Sequence, residues 1–332
     1  MARAKIAFIG TGGTISALGN GPLDLQDYAT AGQFMQADAI LEKWTVVHQV
    51  ADVIGVNFRN IASPAMDFSH WKALVALCHE LPSRYPGLDG IVIGHGTATL
   101  EETAYFLNLT LKLDIPVVVT GAQRPSSALS TDAAINLVNA IRVAASPDAR
   151  GMGVLVVLND EIQAAREVTK TSTLRMQTFR SPDFGVLGHA DGDAVVFYRK
   201  PMRAHAPETE FDIAMLDALP RVDIVYSYAG ADGTAVRAFL AAGARGIVSA
   251  GFAPGFSAPG EAEALREAVR QGIVAVQSTR AGSGRTFQGT RLREAGILIA
   301  DNLNPQKARL LLALALTRTT DVAEIARMFR TY

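Results

Sequence analysis

Two threonines stand where a hydroxyl could do covalent chemistry. Thr11 lies in "GTGGTIS", directly after the apolar run "KIAFIG", and Thr97 lies in "GHGTATLEE", after "DGIVIGH". Glycines flank both: Gly12 and Gly13 beside the first, Gly94 and Gly96 beside the second. Backbone without side chains can approach a substrate closely and offer its N–H groups to a developing oxyanion. A threonine hydroxyl is a weak nucleophile and needs a base or a strong hydrogen-bond network. Lys170, in "REVTKTSTLR", would serve if burial or a cationic neighbour lowered the proton affinity of its amine. The same lysine could equally be a solvated loop charge.

Other chemistries fit less well. The Gly10–Ser16 loop lacks the lysine of a Walker phosphate loop. It also lacks the third glycine of a dinucleotide fingerprint, because Ile15 takes that place. The six histidines are scattered, and no cluster has metal-ligand spacing. His95 reads as a support for its loop, and the single cysteine, Cys78, as a buried structural thiol in a helical run. Thr99 has a plain structural reading: "TLEE", with Glu102 three residues on, has the form of a capping box.

The elements that must hold these residues follow from periodicity. "KIAFIG", "TVVHQV", "DGIVIGH", "IPVVVTG" and "MGVLVVL" read as strands buried on both faces. "HWKALVALCHEL", "LEETAYFLNLTLKL" and "TDAAINLVNAIRVAA" carry apolar residues at helical spacing. Such alternation predicts a parallel sheet covered by helices. The pattern breaks after about Asp193, at the polar, proline-bearing "YRKPMRAHAPETEFD", and a second alternating set follows. The expected division is an N-terminal α/β domain over 1–195, a linker over 196–214 and a smaller α/β domain over 215–332. Open α/β sheets bind ligands beyond the carboxyl ends of their strands. Four loops there are rich in small polar residues: "GTGGTIS", "NIASPAM", "GHGTATLEE" and "GAQRPSSA".

With 49% hydrophobic residues in 332, the composition suits a well-buried enzyme. Lys plus Arg (31) nearly balances Asp plus Glu (32), which gives no pointer to nucleic acid or a membrane surface. The segment "MARAKIAFIG" enters a strand at once and lacks the apolar core and cleavage site of a secretory signal, so a cytoplasmic location is expected.

Taken together, these loops resemble the bacterial-type L-asparaginase family, which includes glutaminase-asparaginases. "TGGTIS" is similar to the first family signature. "HGTATLEETAYFL" is similar to the second, usually HGTDT before the same helix start. "GAQRPSSALSTDAAINLVNA", "VLNDEIQAAREVTKTST" and "NLNPQKARLLLALALT" also look like family segments, so the match runs nearly the full chain. The resemblance implies a larger Rossmann-like N-terminal domain with a parallel sheet and a smaller flavodoxin-like C-terminal α/β domain. It implies a homotetramer built as a dimer of intimate dimers, and hydrolysis of a small-molecule amide through a threonine acyl-enzyme with no metal or cofactor. By motif position Thr11 corresponds to the nucleophile, and Thr97 and Lys170 to a threonine–lysine pair. Ser63, in "NIASPAM", corresponds to a serine that holds the substrate's α-carboxylate. A flap supplies a tyrosine beside the nucleophile; Tyr28, in "ALGNGPLDLQDYATAG", is the tyrosine of that region.

The departures gather around one chemical group. The aspartate of HGTDT, which binds the substrate's α-ammonium, is here Ala98, between Gly96–Thr97 and Thr99. The glutamine after the serine is here Pro64, which offers neither a side-chain amide nor a backbone N–H. The loop that carries an asparagine in the neighbouring subunit reads "SAGFAPGFS" and has none. By spacing, the neighbour's glutamate falls at or near Arg291, which would favour an anionic or carbonyl oxygen instead. The expected activity is therefore hydrolysis of an amide, imide or lactam whose substrate lacks a free α-ammonium. The alternatives are an ordinary asparaginase or glutaminase with altered ammonium recognition, and a non-catalytic ligand-binding protein. Loss of the aspartate is also expected to favour the neutral amine of Lys170.

Overall fold

Ile6, Ala7, Phe8 and Ile9 have no solvent exposure in the computed structural model. The described residues are 3–30 and 32–332; Ala31 of the flap segment and the first two residues lie outside them. These four apolar residues sit in β1 (Lys5–Gly10), one of the inner strands of an eight-stranded sheet. The chain divides into two compact units between Glu210 and Phe211.

In the first unit β1 is followed by the short strands β2 (Ala17–Leu18) and β3 (Gln33–Phe34), which pair with each other, and by α1 (Ala37–Lys43). Then come β4 (Asp52–Asn57), α2 (Phe68–Arg84), β5 (Gly90–Gly94), α3 (Leu100–Thr110), β6 (Val117–Thr120), α4 (Ala133–Ala145) and β7 (Val154–Leu158). Strands β4, β1, β5, β6 and β7 lie side by side in that order, all parallel. The helices form for the reason periodicity gives: in α2, Trp71, Leu74, Val75, Cys78 and Leu81 make one buried stripe. Asp67 caps this helix by accepting from the His70 amide at 3.1 Å.

Beyond β7 the sheet turns antiparallel, which periodicity alone did not predict. β8 (Glu161–Ala164) returns against β7 through the two-residue turn Asn159–Asp160. Both turn residues have positive φ, 53° and 64°, the geometry whose twist matches a hairpin. The α4 side chains secure the turn. Asn136 accepts from the Asn159 amide at 3.0 Å, and Asn139 donates to the Asp160 carboxylate at 2.8 Å. β9 (Thr169–Lys170) and β10 (Phe179–Arg180) pair as a separate ladder. β11 (Gly188–Ala190) and β12 (Val195–Phe197) complete the large sheet, both antiparallel to their neighbours. Val196 and Phe197 thus belong to the sheet, although the expected linker began at 196.

One expected strand is absent. "TVVHQV" forms a 3-10 helical turn over Thr45–Gln49, and the edge strand is Asp52–Asn57 instead. Only Val47 of that turn is buried, and Val46 is 42% exposed. β-branched residues favour strands only where they fit a half-buried pleat. Here Val53 and Val56 fill those core positions.

The second unit holds β13 (Val222–Tyr226), α5 (Thr234–Ala241), β14 (Gly246–Gly251), α6 (Pro259–Arg270), β15 (Val274–Thr279), α7 (Thr290–Glu294), β16 (Leu298–Ile299), α8 (Pro305–Arg318) and α9 (Val322–Thr331). Its four strands are parallel and lie in chain order.

Candidate active site

The loops after β4, β1, β5 and β6 leave the same end of the sheet at the same level, because the strand ends are in register. Gly10 pairs with Asn57 on one side and Gly94 on the other, and Gly94 pairs with Thr120. This is where an open parallel sheet presents its binding loops. The loops are bonded to one another. Thr11 N–H and Oγ1 both donate to the Gly94 carbonyl, at 3.0 and 2.9 Å, and the Ile61 amide donates to the Thr11 carbonyl at 2.9 Å.

Close backbone approach makes the glycines necessary. Gly13 has φ +81°, and a Cβ there would lie 2.2 Å from the Gly96 Cα. A Cβ on Gly96 would lie 2.6 Å from the Ser63 Oγ. The fold thus brings Gly13, Gly96 and Ser63 into contact across three loops. Thr11, Ser63 and Thr97 are all buried.

Lys170, at the end of β9, reaches Thr97: its Nζ donates to Thr97 Oγ1 at 2.8 Å. Half-buried, it is no solvated loop charge. Burial lowers its pKa from the ordinary lysine value, and the charge of Glu101 opposes that shift. The direction is the one expected from the missing aspartate, but burial is the cause.

One sequence reading is corrected. Thr99 makes no capping bond to α3; its hydroxyl donates to the Ser63 carbonyl at 2.8 Å. The threonine sits at the helix start, but its φ of −123° and ψ of 16° depart from the extended geometry of a capping residue. It ties the loop after β5 to the loop after β4 instead. The Tyr28 hydroxyl bonds Thr14 Oγ1 at 2.8 Å, in the same loop as Thr11. Ala98 and Pro64 are exposed, and Pro64 lies in the short 3-10 turn Ser63–Ala65, where its fixed φ suits a helical start. Arg291 is exposed on α7 of the second unit.

Beneath the loops His95 is fully buried, and burial depresses its pKa to about 4. A neutral ring then donates from Nδ1 to the Gly96 carbonyl at 2.8 Å and accepts at Nε2 from Thr103 at 3.0 Å. Thr103 in turn accepts from the Trp71 indole at 2.8 Å. This matches the loop-supporting reading of His95. Cys78 is also fully buried, which pushes its thiol pKa up to about 12 and leaves it inert.

Sequence reasoning missed Glu101 and Thr14. Glu101 was legible only as part of an acidic helix start, and Thr14 only as the second threonine of its loop.

The model of the asparaginase N-terminal domain matches residues 5–203, and that of the glutaminase/asparaginase C-terminal domain matches 221–329. The chain belongs to the asparaginase family. As an asparaginase-family amidohydrolase it acts on carbon–nitrogen bonds other than peptide bonds. It is 40% identical to L-asparaginase 2 of Bacillus subtilis (strain 168) over 328 residues, covering 99% of this chain and 86% of that one. It is 39% identical over 330 residues to a probable periplasmic L-asparaginase of Haemophilus influenzae, covering 99% and 93%. Among solved structures, a probable cytoplasmic L-asparaginase from Campylobacter jejuni superposes with a TM-score of 0.94 at 39% identity, covering 99% of this chain and all of that one.

Proposed function

We propose that this asparaginase-family enzyme hydrolyses an amide, or an amide-like imide or lactam bond, of a small molecule without a free α-ammonium group. The observation that carries this reading is the Thr97–Lys170 bond at 2.8 Å beside a position 98 that bears only a methyl. In the proposed reaction Thr11 Oγ1 leaves its bond to the Gly94 carbonyl and attacks the substrate carbonyl carbon. The hydroxyl proton passes through neighbouring hydroxyl groups, and the departing nitrogen takes a proton as the C–N bond breaks. Water then attacks the acyl-Thr11 ester, activated by the Thr97–Lys170 pair, and restores the threonine. Ser63 and Gly96 line the acyl side, and Tyr28, through Thr14, holds the flap near the first loop. No metal or cofactor takes part in this proposal.

The energetic reason is desolvation. A substrate ammonium enclosed without a carboxylate partner would lose several kcal/mol, about a thousandfold in binding. The proposed assembly is a homotetramer of intimate dimers, in which the partner's second unit, with Arg291, would cover the exposed Ala98 and Pro64. A cytoplasmic location is part of the same proposal. The description of the Campylobacter structure supports it, that of the Haemophilus relative opposes it, and cell fractionation decides between them.

A second reading, an L-asparaginase in the ordinary sense, is favoured by the name of the Bacillus relative at 40% identity. The test is a screen that follows ammonia release from asparagine, glutamine and succinamate and ring opening of simple imides, with Thr11→Ala as the control. Weak turnover of L-asparagine beside efficient turnover of a substrate lacking the ammonium is expected. L-asparagine efficiency near the diffusional ceiling, about 10⁸ M⁻¹s⁻¹, would overturn the proposal.

A further inference from the structure

Thr97 carries two groups on its Cβ, and only one of them meets Lys170. The hydroxyl accepts from Lys170 Nζ at 2.8 Å. The methyl lies against Gly121, the residue that follows β6. A Cβ on Gly121 would stand 3.2 Å from Thr97 Cγ2, 3.2 Å from Leu100 Cδ1 and 2.6 Å from the His95 carbonyl oxygen. Thr97, Leu100 and Gly121 are all buried. The χ1 of a threonine has three staggered wells. In either of the other two wells the hydroxyl leaves Lys170 and the methyl leaves its seat on Gly121.

Asn136 of α4, 1% exposed, holds Gly121 where it is. Its Nδ2 donates to the Gly121 carbonyl at 2.9 Å and to the Asp132 carboxylate at 3.0 Å, and its Oδ1 accepts from the Asn159 amide at 3.0 Å. The Asp132 carboxylate also accepts from the Gln123 and Arg124 amides, at 2.9 and 3.0 Å. The turn after β6 is thus bonded to the start of α4 along its length.

We propose that Asn136 and Gly121 lock the rotamer of Thr97: Asn136 fixes Gly121 against the threonine methyl, and the seated methyl aims the hydroxyl at Lys170. Asn136 touches no reacting atom, so it is a positioning residue. A steric seat does what the hydrogen bond to Lys170 cannot, because it persists while the hydroxyl exchanges partners during proton transfer. On this account position 97 needs a threonine rather than a serine, although both carry the same hydroxyl. A serine has no methyl to seat, and its hydroxyl can turn into the place beside Gly121, where the His95 carbonyl is a competing acceptor.

The inference rests on the proposed role of the Thr97–Lys170 pair, so one readout needs no turnover. Crystal structures of Thr97→Ser and Asn136→Ala show the χ1 at position 97 directly, and in both the hydroxyl is expected in more than one well. In kinetics on whichever amide the wild type hydrolyses, each variant should lower kcat by about threefold to tenfold with KM unchanged, since the productive well is one of three. The double variant should be no slower than the slower single, because both changes undo the same lock. A purely structural role for Asn136 would lower stability and multiply with Thr97→Ser. Thr97→Ser, which removes one methyl, guards against an Asn136 variant that does not fold. A Thr97→Ser hydroxyl found only on Lys170, with the kcat of the wild type, would overturn the inference, and so would multiplying effects in the double variant. A displaced hydroxyl with unchanged kcat would instead overturn the proposed role of the pair and leave the lock standing.

Discussion

At the scale of single residues, the site is a set of hydroxyls held by their neighbours' backbones, and each assignment carries its own test. Thr97→Val keeps shape but removes the oxygen that Lys170 bonds at 2.8 Å. It should lower kcat by about a hundredfold or more while KM changes little, measured by steady-state kinetics. The same loss is expected for Lys170→Met. Ala98→Asp tests the specificity argument from the other side. The methyl is exposed, so the larger side chain meets no packing barrier within the chain. L-asparagine efficiency should rise at least tenfold as the ammonium gains a partner. An unchanged L-asparagine efficiency in a folded variant would mean that position 98 does not read the substrate.

At the scale of elements, what matters is that four parallel strands end in register and that short polar bonds bind their loops into one surface. Thr99 belongs to this scale. Because its hydroxyl donates to the Ser63 carbonyl rather than to α3, Thr99→Val should behave as the loss of a loop tie. The expected cost is about 1 kcal/mol of stability, with a larger effect on KM than on kcat as Ser63 loosens. A lost helix cap would lower stability and leave KM alone. The hairpin after β7 is another element decided by local chemistry. Asn159 adopts positive φ and also donates its amide to Asn136. Asn159→Val should cost about 1–2 kcal/mol in urea unfolding, and Asn159→Gly little, because glycine has no Cβ to crowd that backbone and a β-branched side chain crowds it most.

For the whole molecule, stability should depend on pH through His95. Its folded-state pKa is depressed from 6.5 to about 4, while the unfolded chain titrates at the ordinary value. Above pH 6.5 both states hold a neutral ring, and the contribution is complete. As pH falls from 6.5 toward 4 the unfolded state binds a proton that the native state refuses, and stability drops by about 3 kcal/mol. Comparing urea unfolding of the wild type and His95→Asn at pH 7.5, 5.5 and 4.5 isolates this part of the slope. Equal slopes would show that His95 opens to water before it titrates. The proposed assembly is tested at the same scale: light scattering should give four times the 35.3 kDa chain mass. A monomer with full activity would remove any role for Arg291 in a neighbour's site.

Much of this could be read from the chain itself, for a physical reason. Hydrophobic periodicity and glycine placement are local properties, so β1, β5, β6 and β7 of the first sheet and an alternating α/β pattern for the second unit followed from the sequence, while the edge strands β4 and β16 did not. The two threonine loops at their strand ends followed too, because flanking glycines leave a hydroxyl open to close approach by a ligand. Partner choice is not local. Lys170 and Thr97 are 73 residues apart, and Thr99 and Ser63 are 36 apart. Only the sheet order makes them neighbours. The same holds for Glu101, whose side chain could have faced water on an acidic helix start and is instead buried where its charge acts on Lys170. Sequence determined which residues are capable of the chemistry. The tertiary structure decided which hydroxyl each donor meets, because burial removes water as the competing partner and leaves only the groups that packing brings within reach.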